Sequence, residues 1–288
     1  MRVAVLGAGL MGAQIGCEYA LAGNAVALHA RDLDGARRRV EAALALVVRH
    51  GLAGAEAVEG VRARLTYCTS SEQAGEDREL LVESLPEELA LKARVLRAAL
   101  ASARDGALVG TNTSSLSITE LGEAVGAPEQ TVGTHYWNPP LLMPLVEVVA
   151  GARTSPATVA AVRNLLVELG KQPVLVRRDV PGFVWNRLQF ALVRECVWLV
   201  ENGVAGPEEV DEVVRSGLAR RWRHVGPLRS IALGGVETWN LAGANVVPSL
   251  STVASLPDLV GIALAVGADA ADRDAALAGE LARERREQ

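Results

Sequence analysis

The opening segment RVAVLGAGLMGAQIGCEYAL constrains the fold of this chain more than any other stretch. Val3 to Leu6 is a short apolar run that reads as a buried strand, and an apolar helix follows through Tyr19 to Leu21. Between them lies G-x-G-x-x-G. Gly7 permits a tight turn, Gly9 lets a pyrophosphate approach the backbone, and Gly12 lets helix and strand pack closely. The helix N-terminus, at Leu10 and Met11, then faces the phosphates. A strand-helix-strand unit around this hexapeptide predicts a dinucleotide-binding domain.

The cofactor's ribose is less clear-cut. An acidic residue normally closes the second strand of such a unit. In VALHARDLD the usual acidic place falls on Ala30, followed by Arg31, with Asp32 two residues further. Two readings stand. Asp32 bonds the ribose hydroxyls and the cofactor is NAD, or Ala30 makes room and Arg31 pairs with a 2'-phosphate, which favours NADP. A plain surface arginine is the third option for Arg31.

Strand patterns recur at Val26 to Ala30, Leu80 to Glu83, Ala107 to Gly110, Thr131 to Thr134, Leu145 to Val149 and Pro173 to Val176, with helical patterns between them. Pro86 is expected to open a helix running to about Leu100, with Glu87 and Glu88 in its first turn. This alternation predicts a mostly parallel α/β sheet, a Rossmann-type doubly wound domain, over residues 1–180. After Pro181-Gly182 the texture turns helical to the end of the chain, which predicts an all-helical domain over 181–288. The last sixteen residues read as a solvated helix.

Composition narrows the function classes. The formal net charge of -5 gives no electrostatic reason to expect nucleic acid or an anionic membrane. The chain has 27 Arg and 2 Lys, which reads first as genomic bias. Three scattered cysteines, Cys17, Cys68 and Cys196, predict reduced thiols and a cytoplasmic setting. No run is long and apolar enough to span a bilayer, and no set of His, Cys and carboxylates has metal spacing.

Among four histidines, His135 has the strongest functional setting. It ends an apolar strand and precedes Trp137-Asn138-Pro139-Pro140. Twelve residues on, Glu147 sits inside the apolar strand LVEVVA, where an unpaired carboxylate is expensive. A His-Glu pair removes that cost, and it fixes the imidazole tautomer so that the other ring nitrogen can take a proton from an alcohol. The turn Asn112-Thr113-Ser114-Ser115 follows a strand of the same sheet and can bond a substrate oxygen or cap the next helix. Asn186, just past the domain junction, offers a polar group from the second domain.

Together, GAGLMGAQIG, ESLPEELALK, NTSSLSIT, HYWNPPLLMPLVEVV and DVPGFVWNRLQFALVRE resemble the L-3-hydroxyacyl-CoA dehydrogenase family across nearly the whole chain. The resemblance implies that His135 is the general base, Glu147 orients it, Ser114 bonds the substrate oxygen and Asn186 joins the active site. It places Glu87, Lys92 and Asn138 near the nicotinamide and its ribose, and Asn112 is grouped with these cofactor contacts. It also implies a homodimer through the helical half and a place in fatty acid metabolism. Departures lie at Ala30, in the Arg- and Ala-rich segment around 37–55, and in the short C-terminal domain. GLARRWRHVGP is similar to the lambda-crystallin and L-gulonate dehydrogenase branch, and Arg221 there reads either as a clamp for a substrate carboxylate or as a plain solvent-facing arginine. The expectation is reversible oxidation of an (S)-3-hydroxyacyl-CoA to the 3-ketoacyl-CoA. The alternatives are the same chemistry on a small free hydroxy acid such as L-gulonate, and a crystallin-like structural protein.

Overall fold

A computed structural model of the chain describes residues 1–256, 259, 262 and 266–287. The remaining positions of the helical spacing expected up to residue 288 lie outside the described residues. The chain divides into two compact units, Met1–Val184 with Ala270–Gln288, and Trp185–Asp269.

The first unit is an eight-stranded sheet: β1 (Arg2–Leu6), β2 (Ala25–His29), β3 (Leu65–Cys68), β4 (Leu80–Glu83), β5 (Leu108–Thr111), β6 (Thr131–Tyr136), β7 (Leu145–Ala150) and β8 (Gln172–Val176). Their spatial order is β3-β2-β1-β4-β5-β6-β7-β8. All neighbours are parallel except β6 and β7, which pair antiparallel. The helices are α1 (Leu10–Leu21), α2 (Leu33–Arg49), α3 (Ala55–Arg64), α4 (Ser71–Gly75), α5 (Leu89–Leu100), α6 (Ile118–Val125) and α7 (Pro156–Glu168).

Period-two alternation along the strands builds a core on each face. Val3, Val5, Val26 and Leu28 join residues of α1 and α2 such as Ile15, Val40 and Leu44 in one cluster. Ala4, Leu6, Ala27 and Leu81 join Leu96 of α5 and Leu121 of α6 in the other. Strand ends carrying the chemistry therefore emerge along one edge of a rigid double-faced layer.

Two expectations need correction. The first turn of α5 does not contain Glu87 and Glu88: Glu88 is the N-cap and the helix starts at Leu89. The side chain of Glu87 is committed elsewhere, as described below. The last helix, Ala270–Glu287, is grouped with the first unit and is not wholly solvated. Ala278 is buried, and Arg285 Nη1 donates to the Leu52 carbonyl at 3.5 Å.

The second unit is helical. It holds α8 (Trp185–Glu201) and α9 (Pro207–Glu212), which continues through a π-helical stretch, Val213–Ala219, into Arg220–Trp222. Helices Pro227–Gly234 and Val236–Val246 follow. Val197 of α8 and Val210 of α9 are buried, while Leu228, Leu233 and Leu241 are 80%, 76% and 72% exposed. Among the described residues no helix is long and apolar enough to cross a membrane.

Candidate active site

Register places His135 beside Glu147. The two residues face each other directly in the antiparallel β6–β7 pair, so both side chains leave the same face of the sheet. His135 Nδ1 lies 2.8 Å from Glu147 Oε2. Both side chains are 2% exposed. The second carboxylate oxygen, Oε1, accepts the Val184 amide at 3.0 Å, so Glu147 is held at both oxygens. An ionised carboxylate only accepts, which assigns the ring proton to Nδ1 and leaves the Nε2 lone pair available.

Ser114 Oγ is 3.0 Å from that Nε2. The rings of Trp137 and Phe183 stand edge-on to the imidazole, with centroids at 4.6 and 5.4 Å. Phe183 is held there by a local fold-back: Asp179 Oδ2 accepts from Ser117 Oγ at 2.5 Å and from the Thr119 amide at 2.9 Å, tying residues before Pro181 to the start of α6.

The turn that carries Ser114 is organised by Glu87. Its Oε1 accepts from Thr113 Oγ1 at 2.5 Å, from the Ser114 amide at 2.7 Å and from the Ser115 amide at 2.9 Å. Its Oε2 is 3.0 Å from Lys92 Nζ. Lys92, 1% exposed, also donates to Glu83 Oε1 at 2.7 Å and to the Leu85 carbonyl at 3.0 Å. Glu83, at the end of β4 and fully buried, accepts from Thr111 Oγ1 at 2.6 Å through its other oxygen and from the Leu85 amide. A chain of charges thus runs from the buried Glu83 and Lys92 through the partly exposed Glu87 to the serine turn.

Electrostatics differ along that chain. Burial pushes the Glu83 carboxyl up, against the downward pull of Lys92 and of the Thr111 hydroxyl. Burial raises Glu87 as well, but the hydrogen bond from Thr113, the charge and bond of Lys92 and the Ser114 amide outweigh it and lower the carboxyl to about 2.

The glycine turn meets the steric demands of a dinucleotide site. Gly7 has φ +107°, and a Cβ there would lie 2.5 Å from the Ser84 carbonyl oxygen. A Cβ on Gly12 would lie 1.9 Å from the Gly7 oxygen. At Gly9 nothing lies within 4 Å, so space is open where a phosphate would approach. Gly9 is the N-cap of α1, with no side-chain cap and no acidic residue in the first turn at Leu10 and Met11, which suits an anion. A cleft of about 510 Å³ there is lined by Gly7, Gly9, Ala30, Arg31 and Asp32. Asp32 is the N-cap of α2: its Oδ1 accepts the Gly35 amide at 2.8 Å, and its Oδ2 lies 3.9 Å from Arg38.

Asn112 Oδ1 accepts the Tyr136 amide at 2.8 Å, joining the serine turn to the end of β6. Asn138 is exposed and precedes a cis peptide bond to Pro139. Lys92 is enclosed by its three acceptors behind the strand ends. Asn186 lies in the first turn of α8, and Arg221 lies exposed in Arg220–Trp222, both in the second unit. Sequence reasoning missed Glu83, Thr113 and Phe183. Glu83, a carboxylate at the end of the apolar strand LLVE, carries the same burial cost as Glu147 and needs a partner for the same reason.

Comparison with known proteins agrees with this architecture. Residues 2–180 match the 3-hydroxyacyl-CoA dehydrogenase NAD binding domain, and residues 182–246 match the C-terminal domain of the same family. The 5-formyl-3-hydroxy-2-methylpyridine 4-carboxylate 5-dehydrogenase of Mesorhizobium japonicum is 34% identical over 253 residues, covering 87% of this chain and 81% of its own. An L-carnitine dehydrogenase of Pseudomonas sp is 37% identical over 199 residues, 69% of this chain and 61% of the relative, so the chain spans less than two thirds of that protein. The crystal structure of a 5-formyl-3-hydroxy-2-methylpyridine 4-carboxylic acid 5-dehydrogenase, an NAD+ dependent dismutase, aligns with TM-score 0.82 at 30% identity, covering 98% of this chain and 95% of that one.

Proposed function

The chain belongs to the 3-hydroxyacyl-CoA dehydrogenase family of NAD-dependent oxidoreductases acting on CH–OH groups, and from that premise we propose that His135 is its catalytic base. The observation that carries this is the bonded series Glu147–His135–Ser114. The nicotinamide supplies the hydride acceptor. His135 Nε2 takes the proton of the substrate hydroxyl, and Glu147 holds Nδ1–H and offsets the positive charge that the ring gains. Ser114 Oγ, 3.0 Å from Nε2, bonds the same substrate oxygen and directs its proton to the ring. Trp137 and Phe183 wall the imidazole from water. In the reverse direction His135 returns the proton to the carbonyl oxygen. The family resemblance assigns Asn186 to the substrate, and Asn138, Glu87 and Lys92 to the nicotinamide end.

For the substrate, the proposal is a small hydroxy acid that is not a CoA thioester. The names of the relatives, a pyridine carboxylate and carnitine, support it over the thioester that the sequence motifs alone put first. Arg221 is then the partner of the substrate carboxylate. The second reading, (S)-3-hydroxyacyl-CoA, is favoured by the match to the family over residues 2–180 and 182–246. Cofactor absorbance decides between them, with NADH and acetoacetyl-CoA on one side and NAD with free hydroxy acids, L-gulonate and L-carnitine among them, on the other. Turnover of a free acid with none on acetoacetyl-CoA supports the first reading. Robust turnover of acetoacetyl-CoA at sub-millimolar concentration overturns it.

The proposal includes a homodimer formed through the helical unit. Leu228, Leu233 and Leu241 are largely exposed, which is unfavourable for a lone helical layer in water. Sedimentation equilibrium showing a monomer at micromolar concentration would contradict this. Three free thiols support a reducing, cytoplasmic compartment.

A further inference from the structure

The ribose end of the dinucleotide cleft carries charge of the wrong sign for a site that selects against phosphate. Its lining includes three guanidinium-bearing residues, Arg31, Arg39 and Arg94, against one carboxylate, Asp32. Among the described residues, none of the three arginines is ion-paired. Arg39 Nη1 donates to the Ala8 carbonyl at 3.4 Å, which brings its guanidinium over the glycine turn.

The acidic feature that would exclude a 2'-phosphate is missing. A carboxylate at the end of β2 accepts from both ribose hydroxyls and repels a phosphate dianion. Here that position is Ala30, directly after the last strand residue His29. Asp32 is not a substitute for it. One of its oxygens caps α2 at the Gly35 amide, and the other faces Arg38. Spending Asp32 on the ribose would uncap a 17-residue helix, at a cost of about 1 kcal/mol, the scale of a lost N-cap.

We propose that this cleft takes the 2'-phosphorylated dinucleotide NADP(H) as well as NAD(H), with Arg31, Arg39 and Arg94 forming the phosphate subsite. Guanidinium forks match phosphate oxygens bidentately, and each charge-assisted bond is stronger than a neutral one. Ala30 leaves room for the phosphate, and the one carboxylate of the cleft, Asp32, lies two residues past the strand end with one oxygen turned to the Gly35 amide and the other toward Arg38. The inference rests on the cleft being the dinucleotide site, and its test reads that premise separately.

The experiment is fluorescence titration of the full chain with NADH and with NADPH at one ionic strength, reported as the ratio of the two Kd values. The expected ratio, NADPH over NADH, is about 10 or less, a difference of at most one strong hydrogen bond. Ala30→Asp and Arg31→Ala should each raise that ratio about tenfold or more. A ratio above about 10 in the unaltered chain, or a ratio that neither substitution moves, overturns the phosphate subsite while leaving the NAD site intact. Failure of both cofactors to bind overturns the assignment of the cleft itself. A ratio cancels any general loss of folded protein, so a destabilised variant still reports.

Discussion

Lys92→Met tests the charge chain beneath the serine turn. Methionine keeps the length of the stem and removes the ammonium, so three contacts are lost: Glu83 Oε1 at 2.7 Å, Glu87 Oε2 at 3.0 Å and the Leu85 carbonyl at 3.0 Å. Glu87 keeps its donors from residues 113–115 and is partly open to water, so its share of the loss is small. Glu83 is fully buried and loses its counter-ion. Breaking a buried pair in this way costs about 3–5 kcal/mol. A proton can relieve that cost, because burial already pushes the Glu83 carboxyl up. Each unit between its raised value and the solution pH is worth about 1.4 kcal/mol, which caps the penalty.

The penalty therefore depends on pH, with a definite sign. A carboxyl raised in the folded state binds more protons there than in the unfolded chain, so stability rises as pH falls toward the unfolded value of about 4.3. Urea unfolding of Lys92→Met should show a loss of about 3 kcal/mol near neutral pH, shrinking as the pH is lowered toward about 5. Adding Glu83→Gln should restore more than half of the loss by removing the stranded charge. A loss below about 1 kcal/mol that does not change with pH, or a double variant no more stable than the single one, would refute the reasoning.

Two further perturbations read neighbouring parts of the site. The Glu87 carboxyl is lowered to about 2, so its stabilisation is present above the unfolded value and is lost as pH falls through the folded one. The difference in acid unfolding between the unaltered chain and Glu87→Gln should fall between about pH 4 and pH 2, and parallel acid curves would contradict it. Gly12→Ala and Gly9→Ala should separate packing from binding. The first forces a Cβ against the Gly7 oxygen and lowers Tm, at about 1–3 kcal/mol; the second projects into open space, leaves Tm unchanged and weakens NADH binding.

Much of the architecture was legible where a single period ran through a segment. The seven strands anticipated from apolar runs all form; six are largely buried, and the seventh, β8, is an edge strand with only Val176 buried. β3 was missed: LTYC is short, lies at the sheet edge and is only partly buried, so its pattern is weak. The His135–Glu147 pair was legible because a polar residue in each of two apolar strands twelve apart needs a partner. Asp32 was ambiguous because one carboxylate can serve a ribose or a helix N-terminus, and only the distance to the Gly35 amide shows that it caps. The link from Lys92 to Glu83 was invisible in sequence, since it depends on how α5 leans on the end of β4. The same network explains why Pro86 does not start the helix: the Glu87 side chain is turned toward residues 113–115.

Two substitutions read whether a glutamate-held imidazole moves the substrate proton. The most direct measurement is steady-state turnover of His135→Gln and Glu147→Gln, on whichever substrate the unaltered protein turns over, alongside NADH affinity by fluorescence. In each variant kcat/KM should fall by about 10²–10⁴ while the Kd for NADH stays within about twofold. Turnover close to that of the unaltered protein in His135→Gln, with the cofactor still bound, would contradict it.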